Sequence, residues 1–288
     1  MKNALSKTVT AAAAVAMALV AGSASAASLQ DIKDKGTVRI AIANEIPYGY
    51  MDMNGDAKGA GPDVAKHIMN ELGIKNIKWV TTNFSSLIPG LQADRFDMVA
   101  AEMAVNPERC QKVIYSEPNS SYGEGLMVAK GNPKDITAYS DFKDGDKKVA
   151  IMAGADQLDM LQKLGVPQDN MVTLQSNSDA ISTVANGRAD AYAATGLTAA
   201  QLAKKSGKVQ IVQNFKDPVV DGSEVRSWGA FAFNEDSKDL RDAVNKVLTK
   251  YKKTDAWAKD LESYGFTEAD VKASSQKTTK ELCSAKQS

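Results

Sequence analysis

The sequence predicts an α/β fold built as two similar lobes, and three observations predict it. Short β-branched runs alternate with amphipathic helical patterns, the order expected when helices cover a parallel sheet. The order strand, helix, strand, helix, strand occurs once before Lys130 and again after it. The length, 288 residues, is enough for two modest hydrophobic cores.

Residues 37–43 (TVRIAIA) have strand character. A turn-rich segment follows, with Asn54-Gly55 as its hairpin turn. Gly61-Pro62-Asp63 opens a helix with proline in the first turn and Gly73 beyond the end, and Val64, Ile68 and Leu72 share one face. Residues 77–81 read as a second strand, 85–91 as a helix and 97–101 as a third strand. In the second half, 148–152 read as a strand and 156–164 as a helix ended by Gly165. A strand at 172–174, a helix at 179–186 ended by Gly187 and a strand at 189–194 follow, with another at 209–212. Residues 240–257 read as one amphipathic helix. The tail beyond Ala273 is polar, and loose order is expected there until Cys283.

The N-terminus reads as a secretory signal over residues 1–26. Lys2 and Lys7 form a positive region, residues 9–21 are apolar, and Ala24-Ser25-Ala26 places small residues before the cleavage point. The apolar stretch is shorter than the ~20 residues a spanning helix needs. The whole chain carries 35 basic and 35 acidic residues with no basic block, so neither nucleic acid nor a membrane surface is an expected partner. The two cysteines, Cys110 and Cys283, read in an oxidising compartment as one disulfide, the alternative being two free buried thiols. Neither has a histidine nearby, so no thiol catalyst is expected. His67 is the single histidine, which excludes a zinc site of the usual kind. Asp52-Met-Asn54-Gly-Asp56 imitates the start of a calcium loop but lacks its later Gly and Glu. No metal and no cofactor are expected.

The most specific run is residues 101–118, AEMAVNPERCQKVIYSEP. Arg109 follows an apolar strand and opens a helical turn, where its guanidinium can grip a carboxylate through two parallel hydrogen bonds. The run resembles the signature of periplasmic binding proteins for polar amino acids, solute-binding protein family 3: roughly small-x-Met-x-Ile-Thr-x-Glu-Arg, then Phe-Ser-x-Pro-Tyr. The resemblance extends over about residues 37–266. It implies a two-lobe periplasmic binding protein-like fold (type II) with two crossover hinge strands, at 125–130 and 228–233. Lobe 1 is expected over 27–126, lobe 2 over 127–230, and a return to lobe 1 with the tail over 231–288. The resemblance implies a periplasmic, monomeric, non-enzymatic protein that binds a small zwitterionic solute and delivers it to an inner-membrane ABC permease.

The same resemblance assigns the site. Arg109 would clamp the ligand carboxylate, with Glu102, Met103 and Ala104 completing the cradle and Asn106 in place of the usual Thr; otherwise Arg109 is a surface arginine. Thr195 stands where the family carries the aspartate that receives an α-ammonium, so an ordinary α-amino acid fits poorly, because a buried ammonium needs a counter-charge. Glu45 supplies a carboxylate elsewhere. Tyr48, Tyr50 and Phe84 offer aromatic faces suited to a delocalised cation, with hairpin packing as the other reading of the tyrosines. A ligand with a carboxylate and a planar amidinium satisfies this set. Residues 44–50, 85–91 and 101–121 resemble the ectoine- and hydroxyectoine-binding subgroup. In lobe 2 the family's Gly-Thr-Thr is replaced by Gly154-Ala155-Asp156. Asp156 is expected as an N-cap that leaves the Ala155 and Asp156 amides facing the anion, or else as a ligand contact. Trp228 either meets the ligand or packs at the hinge. The alternatives are a polar or cationic amino acid as ligand, or a cyclohexadienyl dehydratase-like activity for which no second catalytic partner to Glu45 is visible.

Overall fold

The structure is a computed structural model that describes residues 28–220 and 222–284. The expected signal segment, residues 1–26, lies outside the described residues. No helix among the described residues is long and apolar enough to cross a membrane.

Two separate sheets form the two lobes. In the first, Thr37–Ile42 lies between Asn76–Thr81 and Met98–Ala104, all parallel. Ser227–Phe233 then joins antiparallel beside Met98–Ala104, carrying Ile114–Tyr115 and Ser120–Tyr122 on its other edge. In the second sheet Val149–Met152 sits between Met171–Leu174 and Ala191–Thr195, again parallel. Glu124–Ala129 and Val209–Ile211 complete it, joined antiparallel. The two stretches expected as crossovers are therefore ladder strands in opposite lobes, and each makes its sheet mixed. The chain passes between lobes at Gly123, where Ser120–Tyr122 ends in one sheet and Glu124–Ala129 begins in the other. It returns between Val209–Ile211 and Ser227–Phe233.

Apolar residues cover both faces of each sheet, as parallel strands require. Met98–Ala104 and Ala191–Thr195 are buried along their whole length. In lobe 1, Phe231 and Phe233 project to a face packed by Ile68, Val244 and Trp257, while Ala230 and Ala232 face Leu87, Leu91 and Tyr115. Complete burial of each phenylalanine stabilises the lobe by about 1.5–3 kcal/mol.

The helix Ala60–Glu71 places Pro62 in its first turn, and Gly73 beyond it is left-handed at φ 77°, as the sequence suggests. The expected helix over 240–257 is two helices, Lys238–Tyr251 and Asp255–Ser263. Thr254 breaks the run because its side chain accepts from Trp257 N and caps the second helix. The tail is more ordered than expected. Thr267 and Asp270 form a capping box for Glu268–Ala273, and Thr279–Ser284 ends the described chain. Thr279 N donates to Glu117 Oε2 at 3.1 Å and Cys283 is bonded to Cys110, so the last helix is fastened to lobe 1.

Candidate functional site

The carboxyl ends of the parallel strands in both lobes open onto one cleft, the position where open α/β sheets place ligands. Glu45 and Tyr48 follow Thr37–Ile42, Arg109 follows Met98–Ala104, and Asp156 and Gln157 follow Val149–Met152. Thr195 ends its own strand. These side chains line a cavity of about 390 Å³, counting its open mouth, together with Phe84, Glu102, Ala104, Tyr122 and Tyr192.

Arg109 is 7% exposed. Its helix, Pro107–Cys110, starts at Asn106, whose side chain accepts from Arg109 N at 2.9 Å. The guanidinium donates from Nη1 to Ala104 O and from Nη2 to Gly154 O, both at 2.9 Å, and lies 5.5 Å from the Phe84 ring centre. Two of its five donors are so used, which leaves donors for an anion. Gly154 belongs to lobe 2, so Arg109 spans the cleft. A Cβ at Gly154 would come within 2.9 Å of Ser85 Cα, and the residue's φ of 80° is left-handed. Glycine there lets the lobes meet.

Glu45 is 7% exposed, and its Oε1 accepts from Thr198 Oγ1 of lobe 2 at 2.7 Å. Asn177 Nδ2 approaches the carboxylate without closing a hydrogen bond. Burial pushes the Glu45 carboxyl up to about 7, and Thr198 only partly reverses this. Tyr48 donates to Thr195 Oγ1 at 2.8 Å, a third link across the cleft, and its ring lies 5.0 Å from that of Tyr122. Thr195 also accepts from Thr198 N and so caps the helix Gly196–Lys204. Its hydroxyl is doubly occupied and supplies no charge.

Glu102 is left-handed at φ 48°, a conformation that non-glycine residues seldom adopt. Tyr122 holds it by donating to its carbonyl at 2.7 Å, and Asn119 and Ser120 occupy its carboxylate. The side chain borders the cavity but is committed to lobe 1.

Two expectations are corrected. Asp156 precedes the helix Gln157–Lys163 but makes no side-chain cap bond, because its own backbone is already helical at φ −73°, ψ −15°. Its carboxylate borders the cavity instead, and the Ala155 amide is taken by Met152 O at 3.1 Å. Trp228 is not at the cavity. It is half-buried, and its Nε1 donates to Ala273 O at 2.9 Å, fixing the tail.

Sequence reading missed Glu124. It is 5% exposed, at the first position of the strand leaving the hinge, and accepts from Gln157 Nε2 at 2.7 Å and Tyr139 Oη at 3.2 Å. Burial and the nearby Asp156 push its carboxyl up to about 8. A charged residue heading an otherwise apolar strand was the available signal.

The family model for bacterial extracellular solute-binding proteins, family 3, matches residues 38–268. A probable amino-acid ABC transporter periplasmic-binding protein of Sinorhizobium fredii is 57% identical over 275 residues, covering 95% of this chain and 91% of that protein. The lysine/arginine/ornithine-binding periplasmic protein of Escherichia coli is 26% identical, covering 87% and 95%. Among solved structures, EhuB in complex with hydroxyectoine aligns with a TM-score of 0.81 at 32% identity, covering 90% of this chain and 98% of that one. An ancestral arginine-binding protein bound to arginine aligns with a TM-score of 0.69 at 28% identity, covering 80% and 99%.

Proposed function

Because the chain belongs to the bacterial extracellular solute-binding proteins, family 3, we propose that its interlobe cleft captures ectoine or hydroxyectoine and hands it to the permease of an ABC transporter. One observation carries the ligand. A single buried guanidinium, Arg109, and a buried carboxylate, Glu45, border the same cavity with the aromatic rings of Phe84, Tyr48 and Tyr122. Ectoine brings a carboxylate for Arg109, which can hold it bidentately. It brings a flat amidinium for Glu45 and the ring faces. It has no α-ammonium, which agrees with the neutral hydroxyl of Thr195. The likeness to EhuB in complex with hydroxyectoine points the same way.

Capture works by differential contact. A solute that bonds Arg109 in lobe 1 and the lobe 2 wall stabilises the closed arrangement over the open one.

A cationic amino acid is the second reading, and Asp156 is what favours it. A carboxylate at the cavity with no hydrogen bond of its own could receive an ammonium in place of Thr195. Calorimetric titration of protein stripped by unfolding and refolding separates the two. Binding of ectoine and hydroxyectoine, with none of glutamine or arginine, is expected. Binding of the amino acids alone would refute the ectoine reading.

A further inference from the structure

One pair of buried polar side chains, Gln157 and Glu124, lies beside the proposed carboxylate and cation contacts. Gln157 borders the cavity and is 3% exposed; Glu124 lies one layer behind it, outside the cavity wall. Glu124 Oε2 accepts from Gln157 Nε2 at 2.7 Å and from Tyr139 Oη at 3.2 Å. Its Oε1 is buried and has no hydrogen-bond partner among the described residues. A buried polar atom of this kind calls for an explanation.

The arrangement sets which way the Gln157 amide points. Its Nε2 is consumed by Glu124, so the polar atom left for the cavity is the acceptor Oε1. Turning the amide over would place Oε1 against an acceptor oxygen. Both protonation states of Glu124 keep this order. Ionised, Oε2 accepts as a carboxylate oxygen. Neutral, the acid donates from Oε2 to Tyr139 Oη, which has Gly125 O and Ala194 O, each at 3.3 Å, for its own proton, and Oε2 still accepts from Gln157 Nε2.

The cavity wall therefore holds acceptors of two kinds. Glu45 and Asp156 are acidic and suit cationic groups. Gln157 Oε1 is neutral and suits an uncharged N–H or O–H, which it accepts without a compensating charge. We propose that Gln157, oriented by Glu124, is a specificity-determining contact of this cleft that accepts a hydrogen bond from a neutral N–H or hydroxyl of the solute. The inference rests on the reading of the interlobe cleft as the ligand site, though not on the ligand's being ectoine. Glu124 is a positioning residue, acting only through Gln157.

The test has two arms. In the protein without added solute, nuclear magnetic resonance should show the Gln157 side-chain amide protons exchanging slowly with water and close to the Tyr139 ring. Fast exchange with no such proximity would overturn the inference, whatever the ligand. In the second arm, Gln157→Met, Glu124→Met, Glu124→Gln and the double methionine variant are titrated with whichever of ectoine, hydroxyectoine, glutamine and arginine binds the wild type. Gln157→Met should weaken binding roughly tenfold, the loss expected when a ligand donor goes unpaired. Glu124→Met should weaken it too, and Glu124→Gln, which keeps an acceptor for Gln157 Nε2, should restore it to within about threefold of wild type. The double variant should bind no worse than Gln157→Met, since the two act as one unit. Unchanged affinity in Gln157→Met, or additive losses in the double variant, would refute the proposal. If only amino acids bind, the ectoine reading falls and this comparison is made with them. If none of the four binds, that reading falls too, and the resonance arm decides.

Discussion

Under the proposed function, Glu45 is the residue whose chemistry most constrains the ligand. Its folded-state carboxyl, at about 7, stands above the ordinary 4.5 because burial disfavours the charge. Between those values the folded protein keeps a proton that the unfolded chain has lost. The group's contribution to stability is therefore fully present below about 4.5 and is lost as pH rises through about 7. A ligand cation beside Glu45 lowers its pKa in the complex, so binding releases a proton. Affinity should be highest above about pH 7 and fall as pH drops toward 5, by up to roughly tenfold per unit. Titrations across that range should show this slope, and Glu45→Gln should bind more weakly with the slope flattened. An unchanged slope in Glu45→Gln would assign the proton elsewhere. Arg109→Ala should lower affinity by more than about a hundredfold while the far-ultraviolet circular dichroism stays native, since it strips a buried anion of its partner. Unchanged affinity would remove Arg109 from the clamp. These two residues and Phe84 were legible in the sequence because each follows a strand end in a recognisable run. Glu124 and Gln157 were not, because their pairing joins a hinge strand to a helix 33 positions away.

At the scale of elements, the last helix and the arginine turn are one unit. Cys110 adjoins Arg109, and its bond to Cys283 closes a chain separation of 173 residues. Replacing both cysteines with serine should destabilise the protein by about 2–5 kcal/mol. Differential scanning calorimetry should register a transition lower by several degrees; an unchanged transition would make the bond structurally idle. Trp228→Phe removes the bond to Ala273 O and should cost about 1 kcal/mol with ligand affinity unchanged. A large affinity loss would return Trp228 to the site. Most strands and helices were legible from hydrophobic period and glycine stops. The break at Thr254 was not, because the apolar spacing continues through it while the cap is a single side-chain bond. The tail's order was not legible either. Its polar composition hides two capped or cross-linked helices whose stability comes from contacts with lobe 1.

For the whole molecule, the two lobes were legible because the sequence repeats its order of elements. The mixed sheets were not, because an antiparallel strand and a parallel one have the same composition. Across the cleft the direct bonds are polar: Arg109 to Gly154, Tyr48 to Thr195 and Glu45 to Thr198. Such bonds exchange readily with water, and parting the lobes also uncovers the apolar contacts of Leu197 with the lobe 1 core and of Phe84 with the lobe 2 core. Ligand should shift the molecule toward the closed form, read as a smaller radius of gyration in small-angle scattering. An identical value with and without a bound solute would exclude hinge closure. The central claim, that one cleft holds a solute between Arg109 and Glu45, is tested most directly by a crystal structure of the protein grown with ectoine. The carboxylate is expected about 2.7–2.9 Å from the Arg109 guanidinium, with the ring nitrogens turned toward Glu45 against the aromatic faces. A carboxylate bound away from Arg109, or ectoine absent from the cleft at saturating concentration, would contradict that claim.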